Sequence, residues 1–427
     1  MKMSIIEICN DVISEYALCN SCLGRQFAGL DRGSTNREKG HTLKMVLHMN
    51  AQMPAQSNRR VAFKSLEALA KSGYEPSLAT LRKMRRKSDV AARPCYICSG
   101  FMNRLEEFSI KAASSLKDLE CATITVGCKM PLEVEEKEDE LKARFKLRHG
   151  ENIRYEVTRE IGRHVQALAN KKVDKIRPDV TLIIRLPEGE AEVNINPVFF
   201  RGRYRKLVGG ISQTRAPWLK GESIEEIIGM PLLEATQGDD MKFHGAGRED
   251  VDARMTGSGR PFVIEIIKPK RRTIDLTTIE EAVKGEQKGR LEILGLSKAD
   301  KRDVANVKMF GEKAKKTYRA TIKLVGEIHE ADLTQLEQRL TGIIIAQRTP
   351  TRVARRRGDR IRQKRLYSAR FKIMSQDTFE GTFQCDGGLY IKELISGDEG
   401  RTRPSVSELI ERKAECVELE VMDIGEV

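Results

Sequence analysis

A single carboxylate in a glycine-containing basic loop is the feature of this chain best suited to chemistry. The segment GREDVDAR at 247–254, followed by GRPF at 259–262, sets a glycine, an arginine and an acid within four positions. Gly247 lets the backbone come close to a ligand. Arg248 can reach a phosphate. Asp250 stands where a loop would present a nucleophile, and Asp252 is its rival two residues on. Two further segments complete a constellation. Lys316-Thr317-Tyr318 falls on a predicted strand, which puts Lys316 and Tyr318 on one face. CDGGLYIKEL at 385–394 reads as a turn entering a strand or helix, and a strand over 389–395 would put Tyr390 and Lys392 on one face too. Any one of these residues alone is ordinary packing or solvated surface. Together, one acid, a cation and two aromatics suit a pocket for a flipped pyrimidine.

A second kind of chemistry is written in cysteine. Cys19-Asn20-Ser21-Cys22 and Cys95-Tyr96-Ile97-Cys98 each allow two thiolates to share one ion. Together they offer four sulfur ligands, the set that suits tetrahedral, structural Zn2+. Residues 23–94 separate the pairs, so such a site would staple two distant segments. The other reading is two unrelated pairs or a redox pair. Cys9, Cys121, Cys128, Cys385 and Cys416 are expected to be core thiols, and nine cysteines in 427 residues do not make a disulfide framework.

The charge of the chain points to its partner. Formal net charge is +14, and the excess is clustered. Eight of the fourteen residues 352–365 are Lys or Arg, among them Arg352, Arg355, Arg356 and Arg357. That density suits a phosphate backbone. RGRYRK at 201–206 interleaves Arg203 with Tyr204, a pattern suited to RNA, whose unpaired bases stack on aromatic rings. Nothing approaches the roughly eighteen consecutive apolar residues of a membrane span. MKMSIIEICNDVISEY has no signal-like apolar run, so the expectation is a cytoplasmic protein with no membrane contact.

The elements that must position these residues follow from periodicity. Helices are expected at 4–17, 58–72, 78–87, 101–118, 131–146 and 152–171, with strands at 121–129, 179–186, 191–196 and 197–207. In the second half, strands are expected at 240–246, 261–268, 315–327, 341–348, 366–375, 379–385 and 389–395. Helices are expected there at 223–236, 277–286, 331–339 and 405–413. This pattern is α+β, with no βαβ alternation. It divides into a zinc-stapled helical module at 1–100, an α+β domain at 101–205, and a domain at 206–427 with a mixed, largely antiparallel sheet and flanking helices.

Long motifs then suggest a family. GRED at 247–250 resembles the GRTD loop of the TruA-type pseudouridine synthases, and CDGGLYIKEL resembles the TruB-type CxxGTYIRxL. Taken with CNSCLGRQFAGL at 19–30, RYRKLVGGISQTRAPW at 203–218 and GDEGRTRPSVSEL at 397–409, the chain is similar over nearly its whole length to the archaeal and eukaryotic tRNA synthases of the Pus-ten family. Its compactness fits the archaeal form. The resemblance implies isomerisation of uridine to pseudouridine in the tRNA T-loop, at position 55 and in archaea often also 54. It also implies a zinc module and a THUMP RNA-binding domain near 101–205. By this resemblance Asp250 acts as nucleophile or starts a glycal route, and Lys392 pairs with it and keeps it ionised. Tyr318 stacks on the uracil or takes its C5 proton, Tyr390 contacts substrate, and Arg248 holds the target phosphate. Two departures stand out: Thr256 replaces a common Leu, and Lys392 replaces an Arg, so it cannot pair bidentately. No organic cofactor is required, tRNA is engaged through its T-arm, and a monomer is the default. Zinc, THUMP and the Arg-rich loop would equally serve a non-catalytic tRNA-binding protein. An RNA methyltransferase would need a glycine-rich loop joining strand to helix, whereas Gly257-Ser258-Gly259 precedes a strand.

Overall fold

The structure, a computed structural model, describes residues 4–53, 59–84, 90–215, 220–355 and 358–425. It divides into two compact units, Met1–Asn196 and Pro197–Val427.

The first unit opens with α1 (Ile5–Glu15), α2 (Asn20–Arg25), α3 (Asn36–Gln52), α4 (Arg59–Lys71) and α5 (Glu75–Lys83). Ser4 and Glu7 form a capping box that fixes the start of α1, and Cys9, Val12 and Ile13 line its buried face. The expected 78–87 helix begins earlier, at Glu75, because Pro76 favours a first turn, and α5 ends at Lys83 with Met84 as its C-cap; Arg85, Arg86 and Lys87 lie outside the described residues. Then come α6 (Leu105–Ser114), β1 (Thr123–Lys129), α7 (Leu132–Arg144), α8 (Ile153–Ala169), β2 (Lys172–Val173), β3 (Val180–Arg185) and β4 (Glu190–Ile195). The sheet order is β2-β1-β3-β4, with β1 parallel to β2 and β3, and β3 antiparallel to β4. Cys22, Leu23, Cys95 and Phe101 share one core with Ile124, Ile161, Val180 and Leu182. The division expected near residue 100 therefore falls inside a continuous core.

The second unit contains β5 (Val198–Lys206), α9 (Ile224–Thr236), β6 (Asp240–Gly245), β7 (Arg254–Ile267), α10 (Leu276–Gln287), β8 (Leu291–Ala299), α11 (Lys301–Lys313) and β9 (Lys316–Leu324). It continues with α12 (Glu330–Leu340), β10 (Ile344–Arg348), β11 (Ile361–Ile373), β12 (Thr378–Cys385), α13 (Ile391–Ser396), β13 (Thr402–Arg403), α14 (Val406–Ile410) and β14 (Ala414–Ile424). These strands make one mixed sheet in the order β13-β10-β11-β12-β9-β14-β7-β5-β8, with β6 on β7. All pairs are antiparallel except β14 with β7. The strand at 197–207 was expected to close the preceding domain. It is instead β5, hydrogen-bonded between β7 and β8, which moves the boundary from 206 to 196/197. Residues 389–395 are not a strand: Gly388, at φ +91°, breaks the extended run, and α13 follows with Tyr390 at its N-cap.

Two cores sit under this sheet. One gathers Phe200, Tyr204, Ile228 and Phe262, and the other Ile322, Leu366, Phe379 and Phe383. Tyr318 packs against both. The short parallel contact Val421↔Met255 joins the halves beside it.

Candidate active site

The loop 247–253, between β6 and β7, closes one side of a cavity of about 290 Å³. Lys316 and Tyr318 on β9, Gly387–Ile391, Arg352 and the end of α11 close the rest. Two glycines permit the close approach. Gly247 has φ +82°, and a Cβ there would stand 2.9 Å from Lys316 Nζ. A Cβ on Gly311 would stand 2.7 Å from the Gly247 nitrogen, so α11 can end against the loop only as glycine.

The loop is anchored from inside by buried residues, of which only Tyr204 has an expected role, in RNA contact. Glu249 is buried; Tyr204 donates to both its oxygens at 2.9 Å, and Arg260 Nε lies 2.7 Å from Oε2. Gln213 donates to the Tyr204 hydroxyl at 3.0 Å and to the Gly247 carbonyl at 2.9 Å. Lys206, fully buried, donates to the carbonyls of Asp250 and Val251, each at 3.0 Å, and of Ile211 at 3.1 Å. Burial pulls its pKa down despite the neighbouring carboxylates. With the main chain held on both flanks, the carboxylate of Asp250 is turned toward the cavity.

The expected ion pair of Asp250 with Lys392 is present, but a shorter one, with Arg352, was not expected. Arg352 Nη1 donates to Asp250 Oδ1 at 2.8 Å, while its Nε donates to Glu393 Oε1 at 2.5 Å. Burial opposes the Arg352 charge, but the two carboxylates outweigh it and raise its pKa above the ordinary value. Lys392 Nζ stands 3.9 Å from Asp250 Oδ2 and 2.5 Å from Asp252 Oδ2. Its first partner is thus Asp252, whose carboxyl it holds below the usual range against the effect of burial. The reason is local: Lys392 lies in the first turn of a helix, not on a strand. Arg352, assigned to RNA binding from its charge cluster, is part of the cavity.

Tyr318 and Tyr390 both line the cavity. Burial pushes the Tyr318 hydroxyl well up, so it stays protonated. Gln347 clamps Tyr390 by a reciprocal pair, accepting from its nitrogen at 2.8 Å and donating to its carbonyl at 3.0 Å. Arg248 is exposed at the rim.

Two expected RNA contacts are otherwise engaged. Tyr204 is 0% exposed and cannot stack on a base. Arg203 is bound to the carbonyls of Ser258 and Gly259 at 2.6 and 2.9 Å. Arg355 is exposed, and Arg356 and Arg357 lie outside the described residues.

In the first unit, Cys19, Cys22, Cys95 and Cys98 converge, with their sulfurs all within 4.8 Å of one another. All four are free thiols. The Cys22 nitrogen donates to Cys19 Sγ at 3.4 Å, and Arg25 Nη2 donates to Cys22 Sγ at 3.3 Å. Arg25 is held in turn by buried Glu138 and Glu156. Lys44, also buried, donates to the carbonyls of Leu18 and Ser72. Four close sulfurs with cationic neighbours could hold a metal ion.

Comparison with known proteins identifies the family of the chain. The family model for the C-terminal part of Pus10 matches residues 199–425, and that for the archaeal Pus10 THUMP domain matches 108–185. The chain is 40% identical to a tRNA pseudouridine synthase Pus10 of Methanothrix thermoacetophila, over 96% of this chain and 92% of the relative. It is 38% identical to the Methanopyrus kandleri protein of that name, over 98% of each, and 35% identical to the Pyrococcus furiosus one, again over 98% of each. Among solved structures, a Cbf5-Nop10-Gar1 complex matches 52% of this chain and 49% of its own at 17% identity and TM-score 0.32, too distant to bear on the site. No helix among the described residues is long and apolar enough to cross a membrane. On the full-length matches and the two family models, the chain belongs to the Pus10 family of tRNA pseudouridine synthases, which are isomerases.

Proposed function

We propose that this protein converts uridine to pseudouridine in the T-loop of tRNA, at position 55, with position 54 as the second candidate. Asp250 acts on the ribose of the flipped nucleotide, as nucleophile at C1′ or as the base that opens a glycal route. The observation that carries the reading is the pairing of Asp250 with Arg352 at the mouth of a cavity lined by Tyr318 and Tyr390. A guanidinium bonded to one carboxylate oxygen fixes the direction in which the carboxylate points, which either route needs. Tyr318 offers its ring to the uracil, Tyr390 a hydroxyl, and Arg248 a cation for the target phosphate. Lys392 supports the same loop through Asp252.

Extruding a base costs a few kcal/mol, less in a loop than in a duplex. Phosphate contacts supply the compensating binding energy and make it salt-dependent. Arg355, Arg356 and Arg357 lie on the segment that follows Arg352, where they would meet the backbone of the T-arm. The part matched by the archaeal THUMP model, residues 108–185, acts in RNA binding. The four cysteines hold zinc as a structural staple, and the chemistry draws on no organic cofactor. The protein works as a cytoplasmic monomer.

The test is carbodiimide mapping of pseudouridine on an unmodified tRNA transcript after incubation with purified protein. A new stop at 55, with or without one at 54, supports the reading. Tight tRNA binding without any stop would favour the non-catalytic alternative.

A further inference from the structure

Four cationic side chains line the cavity: Arg248, Arg260, Lys316 and Arg352. Two are engaged by protein groups and a third is solvated. Arg352 is shared between Asp250 and Glu393, and Arg260 between Glu249 and the Ala246 carbonyl. Arg248 is exposed. Lys316 is different. It is only 5% exposed, it lines the cavity, and its ammonium has no hydrogen-bond partner and no carboxylate within 4.0 Å among the described residues. Its position is set by β9, where it pairs with Cys385 and Ile424, and by Gly247, which leaves it room. A buried ammonium without a partner is costly. Burial and the nearby Arg260 accordingly draw its pKa down to about 8. Tyr390, which also lines the cavity, has a buried hydroxyl without a partner. A cavity-lining ammonium that no protein acceptor satisfies is accounted for by a ligand that supplies one.

We propose that Lys316 is a catalytic residue: it holds the uracil ring and stabilises the negative charge the ring acquires when the C1′–N1 bond breaks. The inference rests on the uridine isomerisation proposed above. In either route the bonding electron pair stays with the ring and spreads over N1, O2 and O4. The Lys316 ammonium donates to an anionic ring oxygen and keeps its own proton throughout. Rejoining makes the C5–C1′ bond, after which the C5 proton leaves and N1 takes one up, so the atoms balance without an oxidant or a co-reactant. A cation fixed in advance is most effective where charge develops.

The experiment measures single-turnover rates of the full chain and of Lys316→Met and Lys316→Gln on two tRNA transcripts. One carries uridine and the other 5-fluorouridine, whose base is the better leaving anion. With fluorine in place of the C5 proton the second cannot finish as pseudouridine. On both transcripts the rate read is therefore loss of the C1′–N1 bond, as conversion of the N-glycoside to the C5–C1′-linked product. Thermal unfolding and tRNA affinity are measured alongside. Lys316→Met is expected to be slower on uridine by roughly a hundredfold or more, with tRNA affinity and folding preserved. Lys316→Gln should fall between the two. The defect should shrink by about tenfold on 5-fluorouridine, because a better leaving group needs less help. A Lys316→Met rate near that of the wild type overturns the inference, as does an equal defect on both transcripts. A wild type that makes no pseudouridine overturns the proposed function itself, a result distinct from either.

Discussion

Arg352 Nη1 and Asp250 Oδ1 lie 2.8 Å apart across 102 positions of sequence, and Glu393 fixes the other edge of the same guanidinium. A planar guanidinium held on two sides orients its partner as well as neutralising it. Replacing Arg352 with Gln should lower single-turnover pseudouridine formation by about a hundredfold, through misplacement of the carboxylate. Lys392→Met should cost less, since Lys392 reaches Asp250 only at 3.9 Å. Rates in which Lys392→Met is the more damaging change would return the orienting role to Lys392.

The residue before Asp250 has a structural task. Glu249 and Arg260 are 7% and 1% exposed, and Tyr204 completes their network. Glu249→Gln leaves a buried guanidinium without its counter-charge and should cost about 3–5 kcal/mol in denaturant unfolding. Tyr204→Phe removes one hydrogen bond to a charged group and should cost about 1.5–3 kcal/mol. Equal, small losses for both would mean that the ion pair contributes nothing beyond its volume.

Lys316 links stability to pH with a definite sign. Its ordinary pKa is 10.5 and its folded value about 8. Between these the unfolded chain binds more protons than the folded one, so this group's contribution to stability rises with pH across that window. Below about pH 8 the buried ammonium opposes folding by on the order of 3 kcal/mol. Lys316→Met should therefore raise the Tm at pH 7, and the advantage should fade as pH approaches 10.5. Turnover of the wild type should fall as pH rises through about 8, where the ammonium loses its proton. The difference in Tm between wild type and variant as a function of pH checks the first part, and a pH–rate profile the second.

Metal should be coupled to the fold of the first unit. Purified protein is expected to carry one zinc ion per chain, and Cys22→Ser to lose it. The cysteines sit in the same core as Leu182 and Val180. Loss of metal should consequently lower the first unfolding transition by several degrees, not merely loosen the N-terminus. Elemental analysis and calorimetry of wild type and variant decide this; a metal-free wild type with unchanged stability contradicts it.

What could be read from sequence was local. Apolar periodicity located α8, β3 and β12 to within a residue or two, because one face of each is buried. The motif at 247–250 and the two cysteine pairs were legible because their residues are close in the chain. Interactions between distant segments were not. Arg352 reads as one basic residue among eight in its segment, and nothing local marks it as the partner of an acid in another loop. Tyr204 sits among arginines and looks solvated, yet β5 is an inner strand whose alternation turns that ring into the core. Lys206, two residues on, shares its inward face. α11 and α3 escaped because long polar faces hide a narrow apolar stripe, Val307 and Gly311 in one, Leu47 and Ala51 in the other. Glu393 carried a usable signal: it is the one acid in the helix Ile391–Ser396, where it is buried beside Ile391, Leu394 and Ile395 and so calls for a partner.

The central claim is that Asp250 begins the reaction. The direct measurement is carbodiimide mapping of a T-loop transcript treated with wild type, Asp250→Ala and Asp252→Asn, at matched tRNA occupancy. The account predicts pseudouridine with the wild type, none with Asp250→Ala despite retained binding, and a reduced but present signal with Asp252→Asn. Pseudouridine formed by Asp250→Ala, with none from Asp252→Asn, would contradict it.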